Sequence, residues 1–119
     1  MWTMYHAVQK TLNMLQLCVV YVIVCTKCDI LYVGETSRSL RDRKNDHFSD
    51  IKCKRTDKNE VAEHFCSTPH NVYEDFTIRA VHAVLTTHER RLFESKLIRK
   101  LGTLRPLGMN RETTSAHRS

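Results

Sequence analysis

Apolar residues along the chain fall into short runs that predict three strands. The first run, Leu17 to Cys25, is rich in β-branched residues, and its nine residues suit a buried strand better than a helix. A polar turn at 26–29 and the apolar segment from Ile30 to Val33 follow, which predicts a β-hairpin that ends at Gly34. Apolar and polar residues alternate again over 76–81, which predicts a third strand.

Three amphipathic segments begin at residues that can cap helices. Such caps are hydroxyl or amide side chains, which accept hydrogen bonds from the free N–H groups of a first helical turn. The predicted helices are capped by Thr36 or Ser37, by Asn59, and by Thr86 with Glu89, and they extend to about Ile51, Cys66 and Leu101. The order β-β-α-α-β-α predicts an α+β domain, in which helices flank a small antiparallel sheet of about three strands.

The flanking segments carry weaker patterns. Residues 1–16 form a weakly specified lead-in without a motif, and 112–119 form a C-terminal tail, so the domain is predicted over 17–111. A chain of 119 residues fits a single domain. The longest apolar run is less than half of what a membrane-spanning helix needs, so we exclude a membrane protein.

Net positive charge is concentrated in the second half of the chain. The whole sequence has 19 Lys/Arg against 13 Asp/Glu, whereas residues 79–111 hold eight Lys/Arg and only two Asp/Glu. This surplus suits a polyanion such as nucleic acid, and a solvated helix face would explain it equally well. The five cysteines are an odd number, which argues against a disulfide framework and favours metal binding or free thiols in an intracellular protein.

Five residues have the chemistry of a phosphodiester site. Tyr21 and Tyr32 lie on the two strands of the predicted hairpin. Arg43 and His47 are four residues apart, so one helix face presents a fixed cation and a titratable imidazole. Glu94 is a lone carboxylate in a basic helix, where it could hold a hard cation. Taken singly, these are also ordinary half-buried tyrosines, a solvated basic face and an ion-pair partner of Arg90.

The order and spacing of these residues resemble the GIY-YIG endonuclease family. Val19-Val20-Tyr21 stands at the first family triplet and Tyr32-Val33-Gly34 at the second. Val19 replaces a family glycine, and the interval from Gly34 to Arg43 is one residue longer than in bacterial repair and intron-encoded members. The extra residue is expected in the loop at 35–37, because an insertion inside the helix would rotate its face by ~100°.

The resemblance implies a metal-dependent DNA endonuclease that nicks phosphodiester bonds, with DNA as its partner and a nuclear location. The implied catalytic residues are Tyr21, Tyr32, Arg43, His47, Glu94 and Asn110. Glu94 would bind Mg²⁺ or Mn²⁺, and Arg43 would stabilise charge on the phosphate. Either Tyr21 or His47 would activate water, with Tyr32 orienting it.

Two cysteines and two histidines form a second candidate site. Cys25 and Cys28 form a C-x-x-C pair, His64 and His70 form an H-x5-H pair, and together they suffice for a structural, tetrahedral Zn²⁺ site. Free thiols and a redox pair are the alternatives, and Cys66 is a rival zinc ligand. The segment Tyr-Val-Gly-Glu-Thr-Ser-Arg-Ser-Leu and the cysteine-histidine insertion both resemble the nuclease domain of Penelope-like retroelements. This resemblance implies a reverse transcriptase beside the domain in the parent element.

Two other functions fit the same residues. A catalytically inactive, zinc-stabilised nucleic-acid-binding module would keep the basic segment and the four zinc ligands. A decayed retroelement fragment would fold without activity, although drift has no reason to spare all six catalytic residues together. A nicking assay distinguishes both from an endonuclease.

Overall fold

A three-stranded antiparallel sheet forms the centre of the domain. The computed structural model describes residues 13–113, and the strands are β1 (Leu17–Cys25), β2 (Ile30–Ser39) and β3 (Phe76–Ala83). They are arranged in the order β2-β1-β3, so β1 is the central strand and both of its neighbours are antiparallel to it. Most of the predicted lead-in over 1–16 and of the tail over 112–119 lies outside the described residues.

Helices cover both faces of this sheet. They are α1 (Leu40–Lys52), α2 (Glu60–Ser67), α3 (Val72–Asp75) and α4 (Thr87–Leu101). Side chains of α1 and α2 pack on one face, and those of α4 pack on the other. The α+β class and the three-stranded sheet are therefore as predicted, whereas the short α3 was not predicted from the sequence. Within 13–113, no helix combines the length and the apolar character that a membrane span requires.

Both faces of β1 are buried, which explains its unbroken apolar sequence. Tyr21 and Ile23 belong to the apolar layer under α1 and α2, whereas Val20 and Val22 belong to the layer under α4. A strand that is covered on both sides reads as a continuous apolar run rather than as an alternating one. Tyr21 therefore lies in the interior of the protein, on the central strand β1.

Strand β2 is longer, and helix α1 begins later, than the sequence predicted. Strand β2 continues past Gly34 to Ser39, so the predictions that Gly34 ends the hairpin and that Thr36 or Ser37 caps the helix are wrong. Ser39 is the N-cap, and its side-chain oxygen accepts a hydrogen bond from the Asp42 backbone N–H at 3.1 Å.

A β-bulge separates Gly34 from the start of α1. Leu17 pairs with Ser39 and Val19 pairs with Thr36, so residues 37 and 38 of β2 lie opposite a single residue of β1. A bulge of this kind accommodates one extra residue within a strand. Residues 35–37, which were predicted as a loop, lie within β2.

The other predicted caps are confirmed. Asn59 caps α2 by accepting hydrogen bonds from two backbone N–H groups. Thr86 accepts a hydrogen bond from the Glu89 backbone N–H at 3.3 Å, and α4 ends at Gly102 in the left-handed conformation, with φ 64°. The segment after α4 returns to the sheet, where the Met109 N–H donates to the Leu31 carbonyl oxygen at 2.9 Å.

Candidate active site

Two tyrosines and a histidine form the centre of the site. Tyr21 on β1 lies directly opposite Gly34 on β2, and Tyr32 lies two residues before Gly34 on the same face. The rings of Tyr21 and Tyr32 are 6.3 Å apart, and the His47 ring, from α1, lies 5.8 Å from each of them. All three side chains are buried, so the i, i+4 spacing of Arg43 and His47 does not belong to a solvated helix face.

Gly34 is required because the two tyrosines occupy the space where a side chain would lie. A Cβ atom at Gly34 would lie 2.5 Å from Cζ and from Oη of Tyr21, and 2.8 Å from Cε2 of Tyr32. The last residue of the second triplet therefore makes room for the tyrosines of both triplets. This requirement is steric.

Two of the predicted catalytic side chains, those of Arg43 and His47, contact the Tyr21 oxygen. His47 Nε2 lies 2.7 Å from this oxygen, and Arg43 Nε donates a hydrogen bond to it at 3.1 Å. Tyr21 raises the pKa of Arg43 above its ordinary value, and burial acts against this, so the guanidinium stays charged at all physiological pH values. A fixed cation is thus held against a buried phenol oxygen.

His47 is a neutral imidazole in this environment. Burial lowers the pKa of His47 well below its ordinary value, and the positive charge of Arg43 lowers it further. Both ring nitrogens have partners, since Nδ1 lies 3.2 Å from Asn59 Nδ2 and Nε2 contacts Tyr21.

Glu94 is buried on α4, which covers the other face of the sheet. Its neighbours on the buried side of this helix are Arg90, Leu97 and Ile98. The Glu94 carboxylate lies within the buried face of α4, whereas Phe93 is only half-buried. The alternative interpretation makes Glu94 an ion-pair partner of Arg90. Arg90 Nε lies 3.0 Å from Glu35 Oε1, so this interpretation would require Arg90 to pair with two carboxylates.

A cleft of about 250 Å³ lies beside Arg43. It lies between the end of β2, Arg43 of α1 and the first turns of α4, and it is lined by Glu35, Thr36, Ser37, Arg38, Arg43, Thr87, Arg90 and Arg91. Four of these eight residues are arginines and one is a carboxylate. Arg43, with 21% of its side chain exposed, therefore connects a positively charged cleft with the Tyr21 oxygen.

Asn110 joins the C-terminal segment to β2 beside Tyr32. Its Oδ1 accepts hydrogen bonds from the Val33 backbone N–H at 2.9 Å and from the Thr103 hydroxyl at 2.7 Å. Its Nδ2 donates to the Val33 carbonyl oxygen at 2.9 Å. These contacts fix the backbone between Tyr32 and Gly34, which makes Asn110 a support for the tyrosine pair.

The four predicted zinc ligands lie close together near the C-terminal end of β1. One ligand atom from each of Cys25, Cys28, His64 and His70 lies within 4.8 Å of the others. Tetrahedral bonds of about 2.3 Å to sulfur and about 2.0 Å to nitrogen require ligand atoms roughly 3.3–3.8 Å apart, so a modest contraction closes the group. Cys66, the rival ligand, instead donates its thiol hydrogen to the Ile51 carbonyl oxygen at 3.4 Å.

The donor set of this group fits a zinc ion. His64 Nε2 is buried and has no hydrogen-bond partner among the described residues, which is costly unless a ligand occupies it. Burial and the neighbouring His70 lower the pKa of His64, so its imidazole is neutral, as metal binding requires. Burial raises the pKa of the Cys25 thiol, so without a cation its ionised form is disfavoured.

Tyrosines from two paired strands, with an arginine and a histidine from the next helix, define a small α+β nuclease domain. The model of the GIY-YIG catalytic domain family matches residues 17–108, and the chain belongs to this family. No curated protein and no solved structure matches the chain.

Three residues at the site were not predicted to belong to it. Asn59 was predicted only as a helix cap, because it is twelve positions after His47 and no pattern in the intervening sequence brings the two together. Glu35 and Arg90 are 55 residues apart, and only the packing of α4 on β2 makes them an ion pair. The signal available in the sequence was the surplus of basic residues in α4.

Substitution of Gly34 by alanine should displace the tyrosine pair. The added methyl group would overlap the Tyr21 oxygen, so the rings must shift, and overpacking of this kind costs about 1–3 kcal/mol. We expect a lower melting temperature and a loss of nicking. Gly102→Ala is the matched control: it carries the strain of a positive φ, but a Cβ there meets nothing within 4 Å. Equal nicking by both variants would contradict the steric role of Gly34.

Proposed function

We propose that this domain is a metal-dependent endonuclease that nicks DNA. The observation that carries the proposal is the Tyr21 oxygen, which is held between the charged Arg43 and the neutral His47 in a domain of a nuclease family. The proposed reaction is attack of water on phosphorus, with cleavage of the P–O bond to the leaving oxygen.

Tyr21 is the general base in this proposal. A base must accept a proton from water, and both nitrogens of His47 already have partners within the protein. The Tyr21 oxygen also has partners within the protein, but one of them is the cationic Arg43, which stabilises negative charge on that oxygen. Because Tyr21 is buried in the free domain, substrate binding has to admit a water molecule beside it. In the proposed step Tyr21 has first lost its hydroxyl proton to solvent; the proton of the attacking water then passes to the Tyr21 oxygen, and the leaving oxygen takes a proton from solvent.

Arg43 and Glu94 are the two residues proposed to act on the phosphate, Arg43 from the cleft lining and Glu94 from the buried face of α4. Arg43 lines the cleft and can neutralise charge that develops on the phosphate oxygens. Glu94 offers one buried carboxylate, a hard oxygen donor suited to Mg²⁺ or Mn²⁺ when waters and the substrate supply the other ligands. Such an ion supplies Lewis-acid stabilisation of the phosphate and of the leaving oxygen.

Tyr32 and Asn110 have supporting roles. The Tyr32 ring packs against both Tyr21 and His47 and orients them toward the attacking water. Asn110 holds the backbone on the C-terminal side of Tyr32 through hydrogen bonds with the backbone N–H and the carbonyl oxygen of Val33. Both residues therefore belong to the catalytic set without contacting the phosphate.

We also propose that the Cys25–Cys28–His64–His70 group binds a structural zinc ion and that the domain derives from a Penelope-like retroelement. The buried, unpartnered His64 Nε2 supports the first point, and the place of the C-x-x-C pair between the two triplets supports the second. A reverse transcriptase in the parent element is the corresponding partner.

The decisive experiment is a plasmid assay. Purified protein with supercoiled plasmid and Mg²⁺ should yield nicked circles, and a single active site accounts for nicks without linear product. The alternative function is a zinc-stabilised nucleic-acid-binding module, which the basic cleft favours independently of catalysis. DNA binding without nicking, in either Mg²⁺ or Mn²⁺, would establish this alternative and overturn the endonuclease proposal.

Arg91→Gln should weaken DNA binding through the loss of one phosphate contact. Arg91 lines the cleft, and about a third of its side chain is exposed (32%), so the exposed part of its guanidinium can contact a phosphate oxygen although its Nε lies 3.8 Å from Glu35 Oε2. We expect the slope of log affinity against log salt to fall by about 1. Arg99→Gln is the control, because Arg99 is an exposed arginine of α4 outside the cleft lining. Fluorescence anisotropy measures both slopes, and equal changes would contradict a role for the cleft.

A further inference from the structure

The amide orientation of Asn59 is fixed by its role as the cap of α2. Its Oδ1 accepts hydrogen bonds from the Val61 backbone N–H at 2.9 Å and from the Ala62 backbone N–H at 3.2 Å. The Nδ2 group must therefore point the other way, where it donates to Asp50 Oδ2 at 2.6 Å. Two backbone donors on one end and a carboxylate on the other leave a single orientation for this side chain.

This orientation decides which nitrogen of His47 carries the proton. Asn59 Nδ2 lies 3.2 Å from His47 Nδ1, and an NH₂ group can only donate, so Nδ1 must be the acceptor. The imidazole is neutral, so its single N–H is on Nε2. His47 Nε2 lies 2.7 Å from the Tyr21 oxygen and consequently donates its hydrogen to that oxygen.

We propose that Asn59 is a positioning residue that holds His47 as the Nε2–H tautomer, so that His47 donates a hydrogen bond to the Tyr21 oxygen and does not accept one from it. This inference rests on the proposed function, in which Tyr21 is the base. In the other tautomer, Nε2 would accept the hydrogen of the Tyr21 hydroxyl and hold it in place. With Asn59 present, Tyr21 receives hydrogen bonds from both His47 and Arg43, and both stabilise negative charge on its oxygen.

Asp50 completes the arrangement from the surface side. It accepts from Asn59 Nδ2 and pairs with Arg55 at 2.8 Å, so its carboxylate is held against the amide. The chain of contacts runs from Asp50 through Asn59 and His47 to Tyr21. The serine-protease triad shows the size of such an effect, since the wrong histidine tautomer there lowers kcat by about 10⁴-fold.

The test exchanges the amide and the carboxylate. In the double variant Asp50→Asn/Asn59→Asp, the new carboxylate still caps α2 and still pairs with position 50, but it offers His47 Nδ1 an acceptor where the amide offered a donor. Burial and the charge of Arg43 disfavour the imidazolium, so we expect the Nδ1–H tautomer and a nicking rate at least tenfold below wild type. The single variant Asp50→Asn keeps the Asn59 amide but removes the carboxylate that holds it, so we expect a smaller loss of nicking than in the double variant.

The matched control for the cap is Asn71→Asp. Asn71 caps α3 by accepting from the Tyr73 backbone N–H, and it does not contact His47, so this variant should leave nicking unchanged. Melting temperatures of all variants show whether the fold is retained. Asn59→Ser, which keeps a capping hydroxyl but removes the amide donor, gives a second variant with an expected loss of nicking between those of the two Asp50 variants.

Nitrogen-15 NMR of the His47 ring reads the tautomer directly and needs no activity. The proposal requires a proton on Nε2 in the wild type and on Nδ1 in the double variant. A wild-type spectrum with the proton on Nδ1 would overturn it, and so would wild-type nicking by a folded double variant whose Nε2 is unprotonated. If the tautomers are as expected but no protein nicks DNA, then the proposed endonuclease function fails and the arrangement of Asn59 and His47 stands.

Discussion

Glu94→Gln should abolish nicking while DNA binding is retained. Glutamine has the same shape as glutamate, so the buried face of α4 keeps its packing, but a neutral amide is a poor ligand for a hard divalent cation. Loss of the metal-supported stabilisation of the phosphate is worth several kcal/mol, and about 3 kcal/mol already lowers the rate more than a hundredfold. The measurement is the rate of conversion of supercoiled plasmid to nicked circles at saturating protein.

The burial of Glu94 makes stability an informative second measurement for this variant. If the carboxylate served mainly as an ion-pair partner inside the protein, its neutralisation would leave a buried cation unpaired and lower the melting temperature strongly. We expect only a small change. Glu89→Gln is the matched control on the same helix, because Glu89 is exposed in the first turn of α4. Nicking by Glu94→Gln at the rate of this control would contradict the catalytic assignment.

The sequence predicted those parts of the fold that depend on local patterns. The apolar run at Leu17–Cys25 and the caps at Asn59 and Thr86 need only the neighbouring residues to act, and the structure has them where they were predicted. The end of β2 could not be predicted in this way. Its continuation to Ser39 depends on pairing with Leu17, which is distant in the sequence, and polar residues in β2 give no apolar signal for it.

In the site, too, the sequence predicted the features that depend on local patterns and missed those that depend on distant contacts. Spacing along one helix placed Arg43 and His47 on a common face, and the order of the two triplets placed Tyr21 near Tyr32. The ion pair between Glu35 and Arg90 depends on how α4 lies across β2, which no local pattern encodes. The proximity of Cys25 and Cys28 to the two histidines was predicted from ligand chemistry, although 35 residues separate the pairs.

Loss of zinc should unfold the domain at a lower temperature, whereas loss of magnesium should not. The proposed ligands come from the end of β1 and the turn that follows it, from α2, and from the segment before α3, so an ion there joins three parts of the chain. A small core benefits from such a cross-link, because metal binding energy becomes folding energy. Removal of Mg²⁺ alone should stop nicking without changing the melting temperature.

Cys28→Ser tests this prediction against a matched variant in the same chain. Cys28 Sγ lies 3.5 Å from His70 Nε2, whereas Cys53 is an exposed free thiol outside the group, so Cys53→Ser is the control. Loss of about 3 kcal/mol should lower the melting temperature of Cys28→Ser by 10 °C or more, at roughly 4–8 °C per kcal/mol for a domain of this size. Elemental analysis should find one zinc per chain in the wild type, in Cys53→Ser and in Glu94→Gln, and less than one in Cys28→Ser. A wild-type protein that carries no zinc after expression with zinc supplied would show that the four ligands do not form a zinc site and that the thiols are free.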